Sequence, residues 1–295
     1  MKLETALAER LGAGIETIRR RPYPYRTSFP LEELELSLAD GRVVALLLKR
    51  LDRGSLDDHA RAVKPALVHD PRREIEAYRL LADEDLGAPR CYGAIIDGDC
   101  AWLLVEKVPG IELWQAGEVE TWQAVARWLR QLHERFEDRP PGSVALLRHD
   151  SDYYRLWAER ARRRVGAALG PVLALHDRVV ARLTSLPPTF IHGELYASNV
   201  IVQLEGRRRV APVDWEMASV GPGVIDLAAL TSGWAEPGRT AIVSAYGEVD
   251  PMDLDCGRLQ LALQWLGWSP EWTPPPEHEC DWLAEATRIA ERLEL

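Results

Sequence analysis

The segment IHGELYASNV, residues 191–200, combines three side chains capable of chemistry with neighbours that are otherwise apolar or small. His192 is followed two residues later by the acid Glu194, and Asn199 comes five residues after the acid. A carboxylate in this setting can accept the proton of an attacking hydroxyl group, and an amide oxygen at that spacing can bind a magnesium ion. The spacing therefore indicates phosphoryl transfer as a candidate chemistry.

A second acid is predicted to lie beside Asn199. This residue begins the stretch NVIVQLEGRRRVAPVDWE, in which two apolar-rich segments flank residues 205–206. If residues 205–206 form the turn of a hairpin, Val200 pairs with Ala211, and Asn199 and Asp214 emerge at the same end. An amide oxygen and a carboxylate held side by side suit magnesium, which prefers oxygen ligands. The alternative is a strand-end acid that makes a turn hydrogen bond.

The use of lysine gives independent support. The chain holds 36 Lys and Arg residues, but its only lysines are Lys2, Lys49, Lys64 and Lys107. Lys49 closes the apolar run of residues 43–48, which predicts a strand buried on both faces, so a charge at this position needs a reason. A compact ammonium suits the phosphates of ATP, and Glu74 can pair with it. The alternative is a strand-end lysine that extends its charge into solvent beside a surface glutamate.

Hydrophobic periodicity indicates which elements position these residues in the first part of the chain. Residues 31–51 alternate between polar and apolar, turn at Asp40-Gly41 and then run apolar, which predicts two strands. Ile75, Tyr78 and Ala82 follow at helical spacing, and CYGAIID and GDCAWLLVEKV then predict a second hairpin. We therefore predict a small antiparallel sheet with one helix.

The character of the sequence changes after Pro109-Gly110. Helical patterns then follow one another, and no internal repeat or low-complexity tract is present. We predict an α+β chain with a first lobe at 1–105, a hinge at 106–110 and a larger, mostly helical second lobe at 111–295.

Composition excludes several classes of function. A net charge of −10 argues against nucleic acid as a partner, because phosphate binding needs a clustered positive surface. No apolar run approaches the roughly 20 residues of a membrane helix, and the stretch MKLETALAERLGAG lacks an apolar secretory segment, so we expect a cytoplasmic protein without a membrane partner. The signatures G-x-S-x-G, H-E-x-x-H and G-x-x-x-x-G-K-[ST] are absent, which argues against hydrolase and dehydrogenase chemistry.

In combination, these motifs resemble the aminoglycoside phosphotransferase family, the small-molecule branch of the protein-kinase-like fold. The resemblance runs from RPYPYRTSFPLEELELSLADGR through LLVEKVPG and IHGELYASNV to VDWEMASVGPGVIDLAAL. It implies a two-lobed fold whose first lobe binds ATP with magnesium. It also implies transfer of the γ-phosphoryl group to a hydroxyl group of a small molecule, such as an aminoglycoside or an amino-alcohol.

The resemblance also assigns roles to residues. In the first lobe, Lys49 would bind the ATP phosphates with Glu74 as its partner, the loop of Arg26, Thr27 and Ser28 would cover the phosphates, and the backbone of Glu106 to Val108 would receive adenine. In the second lobe, Glu194, Asn199 and Asp214 would be catalytic, and the last two would hold magnesium. Asp226 would brace the catalytic loop, although a helix-capping role is an alternative.

One position departs from the family pattern, which carries aspartate where this sequence has Glu194. The extra methylene moves the carboxylate by on the order of 1 Å, and a misplacement of that size can cost roughly a hundredfold in rate. Because Lys49, Asn199 and Asp214 are all present, we expect that the local backbone compensates. The alternatives are a nucleotide-binding pseudokinase and a related transfer from ATP such as adenylylation.

The identity of the acceptor stays open. Acids of the C-terminal third could line a pocket for a cationic amine, or could simply be solvated; they are Glu236, Asp253, Asp255, Glu277, Glu279 and Asp281. Four tryptophans could form a wall that grips a cation, or could belong to the core; they are Trp265, Trp268, Trp272 and Trp282.

Overall fold

The computed structural model describes residues 3–23, 29–56, 58, 61, 64–98, 100–205, 209–268 and 280–294. The chain divides into two compact units, Met1–Pro109 and Gly110–Leu295. The division falls inside the predicted hinge segment, and the assignment of residues 106–110 as a hinge stays a prediction. Across the described residues, no helix combines the length and the apolar character needed to span a membrane.

The N-terminal unit is built on a five-stranded antiparallel sheet with the strand order β1-β2-β3-β5-β4. Its elements are α1 (Leu3–Leu11), β1 (Ile15–Pro22), β2 (Leu31–Leu38), β3 (Val43–Arg50), α2 (Pro71–Ala82), β4 (Cys91–Asp97) and β5 (Cys100–Glu106). Helix α2 begins where its sequence favours it, since the Asp70 side chain accepts the N–H of Arg72 and Pro71 occupies the first turn.

Two of these elements, α1 and β1, add to the predicted arrangement of four strands and one helix. Strand β1 is an edge strand with mostly exposed side chains, so it lacks the apolar alternation that predicts strands. Cross-strand ion pairs to β2 accompany its pairing, as in Arg19 with Glu35 and Arg21 with Glu33. These partners lie far apart in sequence, and this is why the pattern did not reveal the strand.

The core of the N-terminal unit lies between α1 and one face of the sheet. It contains eight buried leucines: Leu7, Leu11, Leu34, Leu36, Leu38, Leu46, Leu48 and Leu104. The prediction that β3 is buried on both faces is wrong for its first half, because Val43 is 68% exposed and Ala45 is also exposed. The second face becomes buried only near Lys49, where α2 supplies Glu74.

The C-terminal unit is mostly helical. Its helices are α3 (Val119–Glu137), α4 (Ser151–Val165), α5 (Gly170–Ser185), α6 (Val224–Leu230), α7 (Gly238–Tyr246), α8 (Pro251–Trp268) and α9 (Trp282–Glu294). Its strands are β6 (Ile111–Glu112), β7 (Leu147–Arg148), β8 (Pro188–Ile191), β9 (Val200–Gln203), β10 (Arg209–Pro212) and β11 (Ser219–Pro222). The α+β class, with a small antiparallel sheet followed by a helical region, is confirmed.

Two features of this unit position its polar residues. From Leu259 onward, helix α8 is buried on nearly all sides, as expected for a mostly apolar segment, and the helix packs against α4, α6 and α9. Two three-stranded sheets, β10-β9-β6 and β7-β11-β8, flank the segment 192–199. This segment leaves β8 and enters β9, so strands hold both of its ends.

Candidate functional site

In the N-terminal unit, Lys49 and Glu74 form a buried ion pair. The Lys49 Nζ donates to the Glu74 Oε2 at 2.7 Å, and each side chain is only 4% exposed. The ammonium also lies 5.8 Å from the centre of the Phe29 ring, within reach of a cation–π interaction. Since a buried charge is costly unless it is paired, this geometry argues against the alternative of a lysine that extends into solvent.

The predicted adenine-binding backbone, from Glu106 to Val108, follows directly on β5. The Glu106 backbone N–H and side chain both bind Arg90, and the Lys107 ammonium donates to Glu33 at 2.7 Å. Hydrogen bonds from Arg21 and Lys107 lower the pKa of Glu33 to about 2. No described residue accepts the Val108 N–H. Thr27 and Ser28, the predicted phosphate loop, lie outside the described residues, as does Arg26.

In the C-terminal unit, Asp226 braces the segment that carries Glu194. Its two carboxylate oxygens accept the backbone N–H groups of His192 at 2.7 Å and of Gly193 at 2.8 Å. Asp226 is fully buried in the first turn of α6, whose N-cap position is occupied by Gly223, so Asp226 does not act as the helix cap. Backbone amides held by a rigid carboxylate fix the path of the chain where it enters the loop, at His192 and Gly193.

A histidine and a tyrosine support Asp226 from behind. The His133 Nε2 lies 3.4 Å from the Asp226 Oδ2, and its Nδ1 lies 2.8 Å from the Tyr246 hydroxyl. Burial alone would raise the pKa of Asp226. The hydrogen bond from His133, together with that from the His192 backbone N–H, outweighs burial and brings the pKa of Asp226 below its ordinary value. Asp226 is therefore ionised in its buried position.

The His192 ring connects the loop to the strand that carries Asp214. Its Nε2 lies 2.9 Å from the Val213 carbonyl oxygen, and its Nδ1 lies 3.3 Å from the Glu194 backbone N–H. A carbonyl can only accept and an amide N–H can only donate, so the ring is neutral with its proton on Nε2. This arrangement ties the backbones of Glu194 and Val213 to a single side chain.

Gly193 is required by two independent features of the loop. Its φ is +83°, in the left-handed region. A Cβ at this position would lie 2.3 Å from the Met217 carbonyl oxygen, well inside contact distance. The loop therefore packs against the backbone beyond Asp214 more closely than any side chain allows.

We expect Gly193→Ala to lower the free energy of unfolding by about 2–4 kcal/mol, because it adds a steric overlap to left-handed strain. Gly233→Ala is the matched control, since Gly233 has a φ of +84° and no atom within 4 Å of its Cβ position. That variant should lose only about 1–2 kcal/mol. Urea denaturation of both variants measures the difference, and equal losses would show that the contact with Met217 is not tight.

Asn199 and Asp214 lie at the same end of the β9–β10 hairpin, as predicted. The Val213 N–H donates to the Asn199 carbonyl oxygen at 2.9 Å. The predicted register is wrong by one residue, because Val200 pairs with Pro212 rather than with Ala211. The connection between the last paired residues spans 204–208, which is longer than the two-residue turn assumed from the sequence.

The side chains of this hairpin end suit a magnesium ion. The Asn199 Nδ2 donates to the Glu194 carbonyl oxygen at 3.0 Å, and this contact directs the amide oxygen elsewhere. Asp214 has a φ of +62° and is the single non-glycine residue with a positive φ among the described residues. Aspartate tolerates this conformation better than most residues, and strained backbone of this kind clusters at functional sites. A carboxylate and an amide oxygen match the ligand preference of Mg²⁺.

The carboxylate of Glu194 is partly exposed, and α8 contributes one contact to it. The Gln264 Nε2 lies 3.4 Å from the Glu194 Oε1. Burial, followed by the negative charge of Glu194, raises the pKa of Tyr196 well above its ordinary value, so this neighbour remains a phenol. Glu194 is partly exposed, whereas His192 and Tyr196 are buried.

The described C-terminal acids engage in protein contacts. Asp253 pairs with Arg182, Asp255 pairs with Arg258, and Glu236 accepts from Thr240. Asp281 accepts the Ala284 N–H at the start of α9. Glu277 and Glu279 lie outside the described residues. These contacts favour structural roles over a cationic pocket.

The described tryptophans stack within the protein. Trp265 lies 5.0 Å from the Tyr196 ring and 5.3 Å from the Trp282 ring, and Trp268 stacks on Trp157 at 5.4 Å. Trp272 lies outside the described residues. Stacked pairs of this kind are typical of a packed core.

Within each unit, the structure brings predicted residues together. Lys49 meets Glu74, and Asn199 joins both Glu194 and the strand of Asp214. Sequence analysis missed four polar residues that lie behind the loop: His133, Tyr153, Tyr246 and Gln264. His133 lies within the apolar stripe of α3, and Gln264 is flanked by buried apolar residues in the second half of α8. A polar residue among apolar helix positions was the sequence feature that could have identified His133 and Gln264.

The sequence pattern of the phosphotransferase enzyme family matches residues 37–254. The matched region includes Lys49, Glu74, the segment 192–199, Asp214 and Asp226. No curated protein sequence matches the chain significantly.

Several solved structures share the fold. Choline kinase LicA from Streptococcus pneumoniae has a TM-score of 0.63 at 14% identity, with 99% of each chain covered. Aminoglycoside phosphotransferase APH(3'')-Id from Streptomyces rimosus has a TM-score of 0.58 at 18% identity, with 85% of this chain and 93% of that chain covered. Plasmodium vivax ethanolamine kinase has a TM-score of 0.57 at 12% identity, with 95% and 82% covered. The predicted protein-kinase-like fold is confirmed.

Proposed function

Because the chain belongs to the phosphotransferase enzyme family, we propose that it transfers the γ-phosphoryl group of ATP to a hydroxyl group of a small molecule. A small-molecule phosphotransferase is what the family and the fold support. The proposal of γ-phosphoryl transfer from ATP to a hydroxyl group rests on one observation. Asp226 and His192 together hold the backbone that presents Glu194, Asn199 and Asp214.

In the proposed reaction, each residue has a separate task. Lys49, fixed by Glu74, binds the ATP phosphates, and the backbone from Glu106 to Val108 receives adenine. Phosphoryl transfer depends mostly on positioning and on stabilisation of charge, which preorganised groups of this kind supply. A solved structure of the Streptomyces rimosus phosphotransferase contains ADP and streptomycin, which supports a nucleotide and a hydroxylated amine as the two substrates.

Magnesium would be held by the Asn199 amide oxygen and the Asp214 carboxylate, and when bound it neutralises negative charge on the phosphates. Glu194 orients the acceptor hydroxyl group and takes its proton. The bond from the acceptor oxygen to the γ-phosphorus forms as the bond from that phosphorus to the oxygen of ADP breaks. The products are ADP and a phosphate ester.

Purified protein with ATP, MgCl₂ and a panel of hydroxylated amines, including choline, ethanolamine and streptomycin, tests this proposal. We expect ADP release that depends on one class of acceptor, together with a phosphorylated product detected by mass spectrometry. Glu194→Gln should lower turnover about a hundredfold but leave the thermal shift by Mg-ATP unchanged, because it removes a general base and keeps the shape.

A second candidate function rests on Glu194 itself, which stands where the family pattern carries aspartate. In this case the protein is a nucleotide-binding pseudokinase. A thermal shift by Mg-ATP without ADP release, transfer or slow hydrolysis under any condition would favour it. Release of AMP-linked product in place of ADP would instead indicate adenylyl transfer. Absence of any thermal shift by Mg-ATP would contradict all three functions.

A further inference from the structure

The carboxylate of Glu194 is contacted by a buried amide from a distant helix. The Gln264 Nε2 donates to the Glu194 Oε1 at 3.4 Å, and the Gln264 residue is only 4% exposed. This distance is at the long end for a hydrogen bond, but catalytic hydrogen bonds are often long before substrate binds and shorten in the reacting complex.

A tyrosine defines which way the Gln264 amide faces. The Tyr153 hydroxyl donates to the Gln264 Oε1 at 3.4 Å, whereas Glu194 contacts the Gln264 Nε2. An ionised carboxylate can only accept, so the NH₂ group of the amide must face Glu194 and its oxygen must face Tyr153. Tyr153 therefore donates to Gln264, and Gln264 in turn donates to Glu194.

Tyr153 is itself fixed by packing. Its ring stacks on His149, with ring centres 4.1 Å apart and planes 20° apart. The His149 backbone donates to Val220 of β11, and a Cβ on Gly221 would lie 2.7 Å from the His149 Cβ. Burial lowers the pKa of His149 to about 4, so this ring is neutral near pH 7 and adds no competing charge. The series of contacts from Glu194 through Gln264 and Tyr153 to His149 thus ends at the sheet β7-β11-β8, from which the segment 192–199 leaves.

The backbone of Glu194 is held separately from its side chain. Its N–H points to His192, and its carbonyl oxygen accepts from the Tyr196 N–H at 2.7 Å and from Asn199. The Glu194 side chain has one more rotatable bond than aspartate. Without support, that extra bond would spread the carboxylate over several rotamers, and a misplacement of about 1 Å can cost roughly a hundredfold in rate.

We propose that Gln264, oriented by Tyr153, is a positioning residue that holds the Glu194 carboxylate and so compensates for the extra methylene relative to aspartate. This inference rests on the proposed function. A donor from α8 selects one rotamer of the longer side chain, in the way that supporting hydrogen bonds fix the geometry of other catalytic groups. The shorter side chain of aspartate at position 194 would not reach this donor, and it has fewer rotamers to restrict.

A double-mutant cycle between Gln264→Met and Glu194→Asp tests the proposal, with kcat and KM for ATP measured on the most active acceptor of the panel. Methionine keeps the length of glutamine but cannot donate. We expect Gln264→Met to lower kcat about tenfold with KM for ATP unchanged, and to change kcat less than twofold when Asp replaces Glu194. Tyr153→Phe, which removes only a hydroxyl group, should show the same dependence with a smaller loss.

The matched control is Gln260→Met, one turn earlier on α8. Gln260 is equally buried at 2% exposure, but its Oε1 lies 3.4 Å from the His176 ring and it has no contact with Glu194. Its kcat should equal that of the wild type. If Gln264→Met lowers kcat by the same factor with Glu and with Asp at position 194, or does not lower it at all, the inference is wrong.

Failure of the inference can be told apart from failure of the proposed function. A wild-type protein that binds Mg-ATP but transfers no phosphoryl group overturns the function, and the inference with it. If the wild type is active and the effects of Gln264→Met and Glu194→Asp on kcat are additive, only the inference is overturned. Should Gln264→Met prove too unstable to assay, the Tyr153→Phe and Glu194→Asp cycle decides by the same criterion.

Discussion

Replacing Asp214 with asparagine should reduce ADP release from Mg-ATP to below detection. Asparagine tolerates the left-handed backbone that Asp214 adopts, with its φ of +62°, so the fold should persist. What is lost is the negative charge that the proposed magnesium site requires, since Mg²⁺ is bound mainly through carboxylates and substrate phosphates. The thermal shift caused by ATP with magnesium should then fall to that caused by ATP with EDTA.

Asp214→Ala should lose ADP release equally, and its free energy of unfolding should also fall, because a left-handed conformation costs alanine about 1 kcal/mol or more. Asp177→Ala is the control in the same unit, since the Asp177 side chain is 85% exposed and pairs only with Arg155 at the surface. It should keep wild-type turnover and melting temperature. Retained ADP release in Asp214→Asn would remove this residue from the proposed metal site.

Replacing Lys49 with methionine should affect stability and activity together. It leaves the Glu74 carboxylate buried without its partner at 2.7 Å, and breaking a buried pair in this way typically costs about 3–5 kcal/mol. Loss of the ammonium should also lower kcat/KM on the order of a thousandfold, because a preorganised charge at the phosphates is removed.

The double variant Lys49→Met with Glu74→Gln separates the two effects. It removes the buried negative charge that has lost the Lys49 ammonium, so the free energy of unfolding should recover by several kcal/mol while kcat/KM stays low. Lys64→Met is the matched control, since Lys64 lies over the same Phe29 ring at 5.6 Å. If the double variant regains activity along with stability, Lys49 serves the fold rather than the nucleotide.

Sequence patterns were most informative where local spacing determines geometry. The segment from His192 to Asn199 and the hairpin that carries Asp214 follow from short-range order, and the structure places their ends together. The exact register did not follow, because a five-residue connection cannot be distinguished from a two-residue turn by apolar pattern alone. Strand β1 was missed because its side chains are mostly exposed and lack apolar alternation, and its ion pairs with β2 join residues 12 and 16 positions apart.

The residues behind the segment 192–199 could not be assigned from the sequence. His133 reaches Asp226 across 93 residues and Gln264 reaches Glu194 across 70, and no periodicity encodes such pairings. Each is a polar residue on a buried helix face, which indicates that it has a partner but not which one. The departure at Glu194 was visible in the sequence, whereas the amide that meets it was not.

The position of Gln264 bears on how relatives of this chain can be compared. The shared family pattern ends at residue 254, near the beginning of α8, yet the contact with the Glu194 carboxylate comes from the far end of the same helix. Substitutions there change the surroundings of Glu194, the proposed general base, while leaving every aligned signature residue intact. Two homologues with identical signatures can therefore diverge in rate through a segment that alignment of the shared pattern never covers.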